Sequence, residues 1–184
     1  MHRRALLRAG GAGIIVGVSG CLSARETVLD RQPYETDPEN LPYPTWGEAV
    51  PEVTLPDPIS GEQVTTSAVG VPAAYTFFFS HCMSVCPILI GTLRNVQAGF
   101  AGSGCQEMVR FLPITFDPAR DDGHRLEEYA GEMNVDLTAG NWAFLRPESV
   151  GRAETVVTER FGVVFERTEE TDEVYMFAHT ALTL

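Results

Sequence analysis

Thr76-Phe77-Phe78-Phe79-Ser80-His81-Cys82-Met83-Ser84-Val85-Cys86-Pro87 is the stretch around which the chain is read. Phe77 to Phe79 form a bulky apolar run that suits a strand buried on both faces. Pro87 suits the start of a helix, because the first helical position needs no N–H partner. Leu89, Leu93, Val96 and Phe100 follow at i, i+4, i+7 and i+11, which predicts one apolar helical face. Two cysteines therefore sit where a central strand turns into a helix. Backbone N–H groups are free there, and the helix dipole favours a thiolate.

Side chains at i and i+4 of a helix carry Cβ atoms about 5–6 Å apart, whereas a relaxed disulfide needs about 3.8 Å. Cys82 and Cys86 close a disulfide only if Cys82 lies in the loop before the first turn, and such a bond is expected to be easily reduced. Two thiolates held this way also bite one soft metal ion, since thiolates select Cu(I) or Zn over hard cations. A pair of buried structural cysteines, or an inert disulfide, is the other reading open here.

A two-thiolate site needs a third donor, and the chain has four histidines. His2 lies in the N-terminal segment. His124, among Asp121, Asp122 and Arg125, reads as a solvated residue at a helix start. His81 adjoins Cys82, so its side chain is expected to point away from the pair. His179 opens the run Thr180-Ala181-Leu182-Thr183-Leu184, which reads as a strand preceded by a loop. It is either a ligand arriving from that loop or an ordinary loop histidine.

The elements Ser80-His81-Cys82-x-x-Val85-Cys86-Pro87 and Thr115-Phe116-Asp117-Pro118-x-Arg120-Asp121, with the distant His179, resemble the Sco/SenC family of thioredoxin-like copper proteins. The resemblance runs over most of Pro51 to Leu184. It implies an α/β, thioredoxin-like fold with a central mixed sheet flanked by helices. It also implies Cys82, Cys86 and His179 as ligands of copper, as Cu(I), Cu(II) or both. The implied task is delivery of copper to the dinuclear copper site of a haem–copper terminal oxidase, or thiol–disulfide exchange on that site's cysteines. The implied partner is the copper-site subunit of that oxidase. Met83 and Ser84 stand where the family usually has Pro and Asp. The family usually continues past the position of Leu184 through another strand and a closing helix, so the expected domain lacks that edge.

The start, Met1-His2-Arg3-Arg4-Ala5-Leu6-Leu7-Arg8 and then uncharged residues from Ala9 to Gly20, reads as an export signal. Arg3-Arg4 points to the twin-arginine route. The uncharged stretch is too short for a spanning helix, which needs about 20 residues. Val18-Ser19-Gly20-Cys21 resembles a lipoprotein cleavage box, which would make Cys21 the mature N-terminus and a lipid anchor; the alternative is simple cleavage nearby. Residues 1–20 are thus expected to be a signal, 21–50 an acidic, Pro-rich tether and 51–184 the folded domain. Trp46 is expected to pack onto the domain edge. The expected location is the extracytoplasmic face of the cell membrane.

Val53 to Leu55 and Gln63 to Thr65 read as a hairpin around the turn-rich Pro56 to Gly61. Ala73 to Phe79 is the central strand, and the helix from Pro87 ends near Gly99 to Gly104. Cys105, in a Gly-rich loop, reads as a free, half-buried thiol. Met108 to Phe116 is a second strand ending in Asp117-Pro118, the kind of place where ligand groups lie in open α/β sheets. Asp117 and Asp121 either orient the metal site or meet a partner, or they are turn and helix caps. Gly123 to Asn134 reads as a helix on Leu126, Tyr129, Ala130 and Met133. Trp142 to Leu145 reads as a short strand. Ser149 is set to cap a helix striped by Val150, Ala153, Val157 and Phe161. Val163 to Phe165 reads as a strand, and Thr168 to Glu173 as an acidic turn.

The net charge is −12, and all thirteen basic residues are Arg. Such a surface repels nucleic acid. An acidic, Lys-free chain fits adaptation to high salt, although a GC-rich codon bias also removes Lys. Two function classes stay in view. A copper-binding assembly factor would hold one ion at Cys82, Cys86 and His179. Its dithiol would oxidise readily outside the cell, so it would need a thioredoxin-like reductant before loading. A thiol–disulfide oxidoreductase would attack with Cys82 and resolve with Cys86, but its motifs usually have two intervening residues and this pair has three. A thiol peroxidase with Cys82 peroxidatic ranks below both, because no peroxide pocket is readable.

Overall fold

Residues 40–169 and 175–184 are described in a computed structural model. The expected signal, the lipid-anchor Cys21 and the tether up to residue 39 lie outside the described residues. Strands β1 (Thr54–Pro56) and β2 (Gln63–Thr65) form the expected antiparallel hairpin. Its turn is stabilised by buried Asp57, whose carboxylate accepts from Ile59 N and Ser60 Oγ.

The centre is a parallel pair, β3 (Ala73–Phe78) and β4 (Arg110–Thr115), in register from Ala73↔Arg110 to Phe78↔Thr115. The run at Trp142 and Leu145 extends β4 in parallel, through Phe111↔Trp142 and Ile114↔Leu145. On the other side of β3 the last residues run antiparallel, pairing Thr76 with Thr183 and exchanging two bonds between Tyr75 and Leu184. The sheet is therefore mixed. β3 is largely apolar because both of its faces are covered, and the buried hydroxyl of Thr76 donates to Leu182 O. Tyr75 and Phe77 meet Phe161, while Phe78 stacks on Tyr129 and meets Phe144.

Helix α1 spans Val85–Gly102 and begins two residues before the expected start at Pro87. Cys86 is thereby drawn into its first turn. The buried face is Cys86, Ile90, Leu93 and Gln97, set by Cys86 instead of by Leu89, and Val96 is exposed. Gln97 occupies an apolar position because its amide is satisfied: it donates to Asp136 O and Asn141 Oδ1 and accepts from Asp136 N. Helix α2 (Gly123–Glu132) buries Leu126, Tyr129 and Ala130, and Asp122 caps it by accepting from Arg125 N at 2.8 Å. Helix α3 (Val150–Ala153) has the expected Ser149 cap, then widens into a π-helical stretch, Glu154–Arg160. Val156, Val157 and Phe161 are all buried across the widened stretch, while Val150, at the start of α3, is exposed.

Strands β5 (Phe165–Glu169) and β6 (Tyr175–His179) form a second antiparallel hairpin. The strand expected at Val163 thus begins two residues later and takes in residues read as the acidic turn. Glu166, Arg167 and Thr168 are exposed, so β5 meets the core through Phe165 on Phe116, while β6 supplies Tyr175 and Phe177. His179 ends β6 and does not stand in a loop opening a strand. Trp46 is 87% exposed and does not pack on the domain edge.

Gly162 follows the buried Phe161 with φ of 69°, and a Cβ built there would lie 1.9 Å from the Pro42 carbonyl oxygen. Gly162→Ala is expected to cost about 1–3 kcal/mol, read as a lower urea midpoint.

Candidate metal centre

Cys82 lies in the loop between β3 and α1, and Cys86 in the first turn of α1; both thiols are free and buried. His179 comes from the end of β6. Its Nε2 lies 3.5 Å from Cys86 Sγ, across 93 residues of sequence. The ligand atoms of Cys82, Cys86 and His179 all lie within 4.8 Å of one another. His179 Nδ1 is 3.1 Å from the Thr180 carbonyl oxygen, which only accepts, so Nδ1 carries the proton and Nε2 offers its lone pair to the sulfurs. The ring rests on Phe116 and edge-on against Phe79, which hold its orientation.

The two thiols differ. Burial pushes the Cys86 thiol far above its ordinary range, and its hydrogen bond with Cys82 adds to this. Burial also pushes Cys82 up, but hydrogen bonds from the side chains and backbone of Ser84 and Cys86 outweigh it and leave Cys82 below the ordinary thiol range. Ser84 Oγ is 3.5 Å from Cys82 Sγ.

Asp121 fixes the loop that carries Cys82. Its buried carboxylate accepts from Ser80 N at 3.1 and 3.3 Å, from Ser80 Oγ at 2.6 Å and from Thr115 Oγ1. Burial raises its pKa, repulsion from Asp117 adds to this, and the bonds from Ser80 and Thr115 oppose it. Arg125 donates to Ser80 Oγ at 3.0 Å and is itself paired with Glu132. Asp117 does separate work. It accepts from Arg120 Nε at 2.5 Å and from Tyr175 Oη at 2.9 Å, while Arg120 donates to Tyr175 O and stacks over the Tyr175 ring. This clamp ties the start of β6 to the loop after β4.

Both carboxylates are buried, so neither is presented to a partner; they act on the loop and on the hairpin. His81, Asp117 and Asp121 also offer ligand atoms within 4.8 Å of one another. Those carboxylates are already occupied by Arg120, Tyr175, Ser80 and Thr115. As expected, His81 points away from the sulfurs, toward Ser80 Oγ and Asp121. His124 is exposed at the start of α2, and Cys105 is a half-buried free thiol outside the cluster. Tyr175 and Arg120 were assigned no role from sequence. The signal was the period-2 alternation Tyr175, Phe177, His179, which puts the clamp and the imidazole on one face of β6.

Iodoacetamide is expected to modify Cys82 ahead of Cys86, with the Cys82 rate saturating at a pH below that of an ordinary thiol. Peptide mapping of the alkylated protein checks this; equal rates at both positions would contradict the asymmetry.

The SCO1/SenC family model matches residues 58–184. No curated protein matches the chain significantly. Among solved structures, Bradyrhizobium japonicum ScoI with copper bound is similar at 23% identity, covering 72% of this chain and 78% of that one, with a TM-score of 0.60. Arabidopsis thaliana ScoI with copper bound is similar at 25% identity, covering 73% and 80%, with a TM-score of 0.58. BsSco, described as having a disulfide switch and as a member of the Sco family of cytochrome c oxidase assembly proteins, shares 21% identity over 65% and 68%, with a TM-score of 0.54. The fold is that of the thioredoxin-like Sco proteins, and the chain belongs to the SCO1/SenC family.

Proposed function

We propose that this protein binds copper at Cys82, Cys86 and His179 and delivers it to the dinuclear copper site of a haem–copper terminal oxidase. The observation that carries this reading is the convergence of two thiols and one correctly tautomerised imidazole within 4.8 Å. Two sulfurs and one nitrogen make a soft donor set that suits Cu(I). Structural zinc sites take four protein ligands, and this cluster offers three. The copper-bound ScoI structures support the choice of ion, and the description of BsSco supports the oxidase as destination.

Copper is cargo in this scheme. Loading needs both sulfurs as thiolates; Cys82 gives up its proton readily, and the ion displaces the proton of Cys86. Release proceeds by ligand exchange with thiolates of the oxidase's copper-site subunit. A thioredoxin-like reductant keeps the pair reduced. We place the protein on the extracytoplasmic face of the cell membrane, exported by the twin-arginine signal and tethered through a lipid on Cys21. No helix among the described residues is long and apolar enough to cross a membrane. The Lys-free, acidic composition supports a high-salt habitat.

A second reading, thiol–disulfide exchange on the oxidase's copper-site cysteines, is favoured by the unequal thiols. A depressed, loop-borne Cys82 suits the attacking sulfur and a protonated Cys86 the resolving one.

Titration of the reduced protein with Cu(I) against a competing chelator is expected to give one equivalent, with affinity lowered by about 100-fold or more in His179→Ala. Unchanged affinity in that variant would remove the three-donor site. A wild type that ignores copper while His179→Ala keeps full disulfide-reductase turnover would make the exchange reading the better one. Apparent Cu(I) affinity is expected to rise from roughly pH 6 to pH 8, because the raised Cys86 thiol stays protonated below its own pKa and must lose that proton on binding. An isothermal titration series over that range measures the slope.

A further inference from the structure

We propose that Met83 is an additional soft donor to the bound ion, its thioether sulfur closing over the outer side of the Cys82–Cys86–His179 cluster. This rests on the copper reading above and extends it to a residue not yet given a role.

The loop between β3 and α1 is pinned from below. Asp121 and Arg125 hold Ser80, and Cys82 N donates to Phe79 O at 3.2 Å. Cys82 is turned inward and left 6% exposed, whereas Met83, its neighbour, is 87% exposed. Consecutive Cα atoms lie about 3.8 Å apart, and a methionine side chain has three rotatable bonds. A thioether rooted beside Cys82 is therefore within side-chain reach of the Cys82 sulfur.

The inner side of the cluster is closed by Phe79 and Phe116 against His179 and by the full burial of Cys86. Met83, next to Cys82, is the exposed soft donor of this loop. Other donors near it are committed or hard. His81 is turned to Ser80 Oγ at 3.1 Å, the Asp117 and Asp121 carboxylates are buried in their own bonds, and Ser84 offers a hydroxyl. Ile88, also exposed, adds an apolar side chain two residues beyond Cys86. A neutral thioether adds no charge and no proton to the site, and it matches Cu(I) in softness. It binds through a sulfur lone pair and leaves the oxidation state of the ion unchanged. It is weaker than a thiolate, so an incoming thiolate displaces it first.

Selenomethionine-labelled protein, reduced and loaded with one equivalent of Cu(I), tests this at the selenium absorption edge. A selenium–copper distance of bonding length is expected in the wild type and in His81→Ala, and it disappears in Met83→Leu. Met83→Leu is also expected to weaken Cu(I) binding by about tenfold, the low end for removing an accessory group of a metal site. Bound copper without selenium–copper scattering, or scattering that persists in Met83→Leu, overturns the role of Met83 and leaves the three-donor site standing. Failure of the wild type to bind copper overturns both.

Discussion

The buried carboxylate of Asp121 is the constraint on which the site depends. It accepts from Ser80, two positions after the end of β3, and from the last residue of β4, Thr115. The two parallel strands are thereby joined at the end where the cysteine loop begins. A buried carboxylate without these donors would be costly, so the loop cannot relax without leaving the Asp121 carboxylate buried and short of its Ser80 partners. Arg125 reinforces Ser80 from α2, and the same helix supplies Tyr129, which stacks under Phe78. The position of Cys82 is set by the sheet, and its burial follows from that.

Much of this fold is legible in the residues. The aromatic run of β3 announces a strand covered on both faces, and the spacing of Leu126, Tyr129 and Ala130 announces α2. The strand-to-helix placement of Cys82 and Cys86 is equally local. What escapes is decided by distant partners. Gln97 has no place in the apolar stripe Leu89, Leu93, Val96 and Phe100, yet it is buried because Asp136 and Asn141 satisfy its amide. Residues 165–169 look like the approach to an acidic turn because a strand exposed from Glu166 to Thr168 needs little apolar content. Trp46 was expected to pack, but no local pattern tells whether a tryptophan near a polar segment finds a surface. The third donor is the hardest case. The residues alone leave His179 either a ligand or an ordinary loop histidine, the family resemblance names it a ligand, and the fold brings it across 93 positions to Cys86.

The asymmetry of the thiols follows from the same geometry. Cys86 is enclosed by the first turn of α1 and the core, so its neutral form is favoured. Cys82 stands before the helix, where Ser84 and Cys86 hydrogen-bond to it and favour its anion. Metal capture and disulfide exchange both begin from this unequal pair, which is why a protein built for one has most of what the other requires.

The hairpin of β5 and β6 shares no strand pairing with β3 or β4 among the described residues. It is fastened through side chains, by the aromatic faces of Phe116, Phe165 and Phe177 and by Arg120 with Tyr175. The nitrogen donor is thus mounted on a separate arm, while the sulfur donors ride on the sheet and the helix beside it. Three residues beyond His179 the chain is bonded to β3, so the imidazole can swing only within the slack of residues 180 and 181, and a donor that lets go stays close to the sulfurs.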